Sequence, residues 1–165
     1  MNDPATNESA TRRYLTDLLS RFLRPNLTQI DPLLFVGGQF RADEWPTIAA
    51  LGVRAVLSMQ AENVDRFSGT PPDRTLRVAV IDYHAPTIEQ LHVAAAFGTA
   101  ARRDGLPLFV HCRAGVGRAP IAAAACLVAE GHTPAQAIRL IARARTIVMP
   151  NTEQLTALHA YAASR

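Results

Sequence analysis

The chain has 165 residues, 48% hydrophobic and 19% charged, with two cysteines and a formal net charge of +3. That length supports one domain with a real core, and two cysteines cannot make the disulfide framework of a small secreted scaffold. The mildly basic balance suits an anionic substrate, and no arginines interleave with aromatics to form a nucleic-acid platform. No apolar run is long enough to span a bilayer, and no secretory core region is present.

Taken in chain order, residues 1–26 read as a tail with an amphipathic helix and residues 27–165 as the globular domain. Residues 1–10 are polar and expected to be disordered. Residues 11–24 place Tyr14, Leu15, Leu18, Leu19, Phe22 and Leu23 at helical spacing, with Arg12, Arg13, Arg21 and Arg24 on other faces. Such a helix either touches a membrane surface peripherally or packs on the domain. Packing is preferred, because a basic amphipathic pattern alone does not single out a membrane.

Pro25 and Asn26 stop that helix. Leu33 to Val36 reads as a short strand closed by Gly37 and Gly38. Asp43 to Leu51 reads as a helix with Asp43 as N-cap and Gly52 past its end. Val53 to Met59 is a buried strand, Gly69 to Asp73 a turn-rich loop, and Leu76 to Ile81 another strand. Thr87 to Arg103 is a helix opened by the Thr87/Gln90 capping pair. Leu106 to Val110 is an apolar strand, followed after a loop by an alanine-rich helix, Ile121 to Glu130. Two closing helices fall near Pro134 to Arg145, with Thr133 as cap and Pro134 in first position, and Thr152 to Ala162. Strands alternating with helices predict an α/β domain whose central sheet is mostly parallel and flanked by helices on both faces. Ligands of such sheets bind at the carboxyl ends of the strands.

The most informative stretch lies at that place: His111-Cys112-Arg113-Ala114-Gly115-Val116-Gly117-Arg118. A loop between a strand and a helix N-terminus points several backbone N–H groups at one small volume, and the helix dipole adds positive potential. Such a cradle binds a tetrahedral dianion and favours the thiolate of a cysteine at its edge. Arg118 can grip two oxygens of a phosphate with its planar fork. Cys112 and Cys126 lie too far apart along one helix to be bridged. A free reactive thiol points to a reducing compartment, so a cytoplasmic location is expected.

His111-Cys112, five residues, then Arg118 resembles the signature of cysteine-based protein phosphatases, and the element order from about residue 27 to 160 resembles a dual-specificity phosphatase domain. Sulfurtransferases of the rhodanese type have one residue fewer before the arginine. Low-molecular-weight phosphatases carry the same spacing near their N-terminus, whereas here it sits two-thirds along the chain. The resemblance implies that Cys112 attacks phosphorus and that Arg118 with the amides of Arg113, Ala114, Gly115, Val116 and Gly117 holds the transferring oxygens. It implies that Asp82, thirty residues before Cys112, protonates the leaving group; Tyr83, Pro86 and Gln90 match the pattern that follows such an acid. The resemblance also implies that His111 orients the loop and favours the thiolate; His84 lies near the acid, and Arg145 and Met149 to Gln154 resemble the C-terminal region. Gln154 either orients the hydrolytic water or is a helix-surface amide.

One departure stands out. The family usually has Ser or Thr directly after the signature arginine, whose hydroxyl hydrogen-bonds the cysteine sulfur and helps expel it from the phosphoenzyme, and this chain has Ala119. The chemistry needs no metal or cofactor. The expected partner is a phosphorylated protein or another phosphomonoester, and the expected state is a monomer. A phosphoinositide or small-molecule phosphatase, or a phosphate-binding pseudophosphatase, stays open beside it.

Overall fold

The computed structural model describes residues 25–165. The expected tail and the amphipathic helix of residues 11–24 lie outside the described residues. Five strands form one sheet: β1 (Leu27–Asp31), β2 (Leu34–Gly37), β3 (Ala55–Ser58), β4 (Arg74–Arg77) and β5 (Leu108–His111), in the order β1-β2-β5-β3-β4. Only β1–β2 is an antiparallel pair; β2–β5, β5–β3 and β3–β4 are parallel.

The three central strands are short apolar runs, and every residue in them is buried. Their side chains alternate between faces, as the pleat requires. Leu34, Val36, Ala55, Leu57, Leu108 and Val110 point to one side, where they meet α2 (Ile88–Arg103), α3 (Arg118–Ala129), α4 (Pro134–Ala144) and α5 (Thr152–Ala163). Phe35, Val56 and Phe109 point to the other, where Phe40, Val53 and the short helix α1 (Trp45–Ala50) cover them. Helices therefore lie on both faces, but unequally. The α3 helix is buried along all of Arg118–Val128. Its alanines let it approach the sheet and its neighbouring helices closely.

Several boundaries move for stated reasons. Pro107 has no N–H for the ladder, so β5 starts after it rather than at Leu106. The strand expected over residues 76–81 runs instead from Arg74 to Arg77, because its partner β3 ends at Ser58. Val78 keeps one bond, from its N–H to the Ser58 carbonyl (2.8 Å), and Val78 and Val80 enter the core from irregular chain. Asp43 is not a helix cap. It lies in a 3-10 turn, Ala42–Glu44, and its carboxylate is taken by Arg41. The α1 helix starts only at Trp45, with Pro46 in its first turn, where a missing N–H is harmless. The strand β1 was not expected. Its residues are half-buried without strict alternation, and Leu33 N–H donates to Asp31 Oδ1 (2.8 Å) to close the hairpin.

Candidate active site

Cys112 follows the last residue of β5, and Arg118 is the first residue of α3. The loop between them bends sharply because Gly115 has φ +71°, a left-handed backbone that side chains disfavour. A Cβ there would also strike the Gly37 backbone and fall 2.6 Å from Arg145 Nη2. The bend brings the Gly115 N–H to Cys112 Sγ (3.3 Å). Cys112 is buried, 3% exposed, at the base of the loop.

The loop is held open from behind. Arg145, just past α4, donates from Nε to the Gly115 carbonyl (2.9 Å) and from Nη2 to the Ala114 carbonyl (3.4 Å). Asn26 accepts from Arg145 Nη2 (2.9 Å) and donates to the same Ala114 carbonyl (3.3 Å). With these carbonyls held on the outside, the Gly115 N–H is left to the sulfur. The first-turn amides of α3 receive no side-chain cap, whereas α2, α4 and α5 each open with a capping box. Uncapped amides at a helix start form a site for an anion.

Arg118 is 1% exposed, and its guanidinium is fixed by five acceptors. Nη1 donates to both Glu62 oxygens (3.0 Å each), to the Val80 carbonyl (2.6 Å) and to the Met59 carbonyl (3.5 Å); Nη2 donates to Asp82 Oδ1 (2.8 Å). Nε alone has no partner, although it is buried. Buried donors are ordinarily paired, so this one is free to take a further acceptor. Partial burial works to raise the Glu62 carboxyl, but the Arg118 guanidinium and nearby backbone amides outweigh it and hold Glu62 below the ordinary range.

The segment carrying Asp82 turns back at Tyr83, a non-glycine residue with φ +63°. Such a conformation persists only where the surroundings impose it. Here the Tyr83 N–H donates to Asp82 Oδ1 (3.1 Å), and Asn151 Nδ2 donates to the Tyr83 carbonyl (2.7 Å). Gln154 Nε2 donates to the His84 carbonyl (3.1 Å), and His84 Nδ1 pairs with the Asp82 carbonyl (2.9 Å). Asn151 and Gln154 are also the capping box of α5. One local device thus starts a helix and secures the Asp82 segment.

A family model described as the "Swiss Army Knife protein, DSP-PTPase phosphatase domain" matches residues 25–164. The chain belongs to this family. It is 26% identical over 125 residues to human Dual specificity protein phosphatase 1, a match covering 74% of this chain and 34% of that protein. The chain therefore spans about a third of the length of that relative. It is 27% identical over 140 residues to human Phosphatidylglycerophosphatase and protein-tyrosine phosphatase 1, covering 79% of this chain and 70% of that protein. Among solved structures, human DUSP28 superposes with a TM-score of 0.75 at 25% identity, covering 85% of this chain and 95% of that one.

In this DSP-PTPase domain the structure brings Cys112, Arg118, Asp82 and His111 together with the whole loop from Arg113 to Gly117. Gln154 is buried rather than a helix-surface amide, and it sits behind Gly117, where a Cβ would fall 2.6 Å from its Oε1. Four residues that serve the site were not singled out as such from the sequence: Glu62 on Arg118, Asp65 on His111, and Arg145 with Asn26 behind the loop. The resemblance had touched Arg145 without giving it a role. Among the described residues no helix is long and apolar enough to cross a membrane.

Proposed function

We propose that the domain is a cysteine-dependent phosphomonoester hydrolase of the protein tyrosine/dual-specificity type. The observation that carries this reading is the pairing, on one loop, of a buried sulfur with an arginine whose Nε is unpartnered. A phosphate seated against the loop amides would supply that missing acceptor. The clamp would then hold equatorial oxygens and leave the side of phosphorus opposite the sulfur to the departing ester oxygen.

In the proposed reaction the Cys112 thiolate attacks phosphorus. The bond to the ester oxygen breaks, and its electron pair leaves on that oxygen, which takes a proton from Asp82. Water then attacks the cysteinyl phosphate. Asp82 accepts the water proton, the phosphorus–sulfur bond breaks with its pair returning to sulfur, and phosphate departs. The charge that develops on the equatorial oxygens is met by donors already in place, which is where most of such catalysis comes from. Asp82 is within reach because it already contacts the guanidinium that would hold the phosphate. To donate, it has to leave Arg118 and carry a proton; a dianion arriving at Arg118 would displace it.

Cys112→Ser tests this reading. Hydrolysis of an aryl phosphate should be abolished, while binding of inorganic phosphate or tungstate survives, since the cradle is unchanged. Retained turnover at unchanged purity would end the thiolate mechanism. A second reading, a lipid phosphomonoester as substrate, is favoured by the relative whose name includes phosphatidylglycerophosphatase. Phosphotyrosine peptide and phospholipid, compared by kcat/KM, separate the two.

A further inference from the structure

A single exposed apolar side chain is ordinary on a protein surface, whereas a cluster of them marks an interaction site. The large exposed apolar residues of the described chain are not scattered. Val64, Ile81, Tyr83, Ile147 and Met149 all lie at, or within two residues of, a group bonded to the signature loop; only Leu51 and Val93 lie elsewhere. Val64 stands between Glu62, on Arg118 (3.0 Å), and Asp65, on His111 (2.9 Å). Ile81 and Tyr83 flank Asp82, on Arg118 (2.8 Å). The Met149 N–H donates to the Val116 carbonyl (2.9 Å), and Ile147 stands between it and Arg145, which bonds the Gly115 carbonyl (2.9 Å). Tyr83 is the most exposed, 81%, and it also carries the left-handed backbone. An aromatic side chain left in water on a strained residue is unfavourable on both counts, which points to a use for it.

The free charges on these same segments are mostly positive. Arg66 follows Asp65, Arg113 lies on the loop itself, and Arg143 is two residues before Arg145. Arg77, at the end of β4, donates only to the carbonyls of Gln60 (3.0 Å) and Ala61 (2.6 Å). All four are exposed, and none pairs with a carboxylate among the described residues. Glu62, Asp65 and Asp82 are already engaged by Arg118 and His111. Against the four arginines stand Glu89 and Glu153, in the first turns of α2 and α5. Arginines and apolar side chains around a site for a phosphate ester match a bilayer with anionic headgroups: the guanidiniums meet the headgroups, and the aromatic and aliphatic tips enter the acyl boundary. A docked peptide would need one continuous strip, whereas these apolar positions come from three segments that reach the loop at separate points.

We propose that the rim of the site, formed by Val64, Ile81, Tyr83, Ile147 and Met149 with the arginines among them, is a docking surface for an anionic bilayer, which presents the phosphomonoester as a lipid headgroup. This deepens the phosphatase reading. The identity of the substrate rests on that reading; the docking does not.

Co-sedimentation of the full chain with phosphatidylcholine vesicles, with and without phosphatidylserine, reads the docking without any phosphomonoester. Binding should require the anionic lipid and weaken as salt is raised. Ile147→Ser combined with Met149→Ser removes two apolar side chains and keeps the Met149 N–H. Its binding should fall at least about tenfold, the order set by returning aliphatic side chains to water. Arg66→Gln should lower binding about fivefold, and only to the anionic vesicles. Hydrolysis of a soluble aryl phosphate should be unchanged in both variants, while hydrolysis of phosphatidic acid in the vesicles falls with binding. No binding to anionic vesicles would overturn the proposal. So would equal binding by wild type and the double variant, which would place any membrane contact elsewhere in the chain. Loss of phosphotyrosine-peptide turnover in the double variant, with vesicle turnover intact, would overturn it in favour of a protein partner. Should the double variant not fold, Val64→Ser, exposed on another segment, replaces it under the same criteria. Docking as expected with no phosphoester hydrolysed would sink the phosphatase reading and leave the surface in its role. Hydrolysis without docking would do the reverse.

Discussion

At the scale of single residues, position 119 governs the second half of the proposed reaction. Cys112 Sγ accepts from the Gly115 N–H, and Ala119, fully buried in the first turn of α3, offers no hydroxyl to join it. The departing thiolate therefore lacks one hydrogen bond, worth about 1.5–3 kcal/mol when it is made to a charged group. Breakdown of the cysteinyl phosphate should be slower than its formation. Rapid mixing with an activated aryl phosphate should give a burst near one equivalent, then a slower steady rate. Ala119→Ser should raise that steady rate roughly ten- to a hundredfold, the barrier change converted to a rate. If wild type shows no burst and the serine variant is no faster, another donor already serves the sulfur.

Among the elements, α2 and α3 meet closely at Gly98. At Gly98 a Cβ would overlap Cys126 Sγ and lie 3.1 Å from Leu108 Cδ2. Gly98→Ala gains about 1 kcal/mol of helix propensity and loses about 1–3 kcal/mol to overpacking. The obstruction is a fully buried sulfur, so the loss should win and urea midpoints should fall. In a Cys126→Ala background the obstruction is gone, and the same Gly98→Ala change should become neutral or stabilising. An equal loss in both backgrounds would place the strain elsewhere, at Leu108. The outer ends of α2 and α3 are joined by Arg102, which bridges Asp31 (3.0 Å) and Glu130 (2.7 Å) and so ties β1 to the far end of the bundle.

For the whole molecule, the β3–β4 connection couples stability to pH through Glu62. Its carboxyl titrates lower in the folded state than its ordinary 4.5. A group with a depressed folded value stabilises fully above the ordinary value, and that contribution is lost as the pH falls through the folded one. Glu62→Gln should thus lower stability at neutral pH by about 1 kcal/mol, the scale of a partly screened ion pair. The gap to wild type should close as the pH falls below 4.5 and through the lower folded value. Thermal melts of both proteins across this range check it. A gap independent of pH would mean that Glu62 acts through packing and not through its charge.

Features that act within a few residues were legible from the chain alone. The Thr87/Gln90 pair and the cap Thr133 before Pro134 open α2 and α4 where the pattern places them. The apolar runs of β2, β3 and β5 were legible because every residue in them is buried. The signature loop was legible because its sulfur, glycines and arginine share one turn of chain. Where local signals misled, a nearby constraint had been misjudged: Pro46 set the start of α1, and the end of β3 set the end of β4. Tertiary structure alone decided which carboxylates attend the signature and what braces it. Asp65 is 46 positions from His111, Glu62 is 56 from Arg118, and Asn26 is 119 from Arg145. No local pattern marks these residues, since an acid in a loop reads as solvated until folding closes it against a partner. The signature was therefore readable as chemistry, while its environment existed only once β3, β5, α3 and the end of α4 had come together.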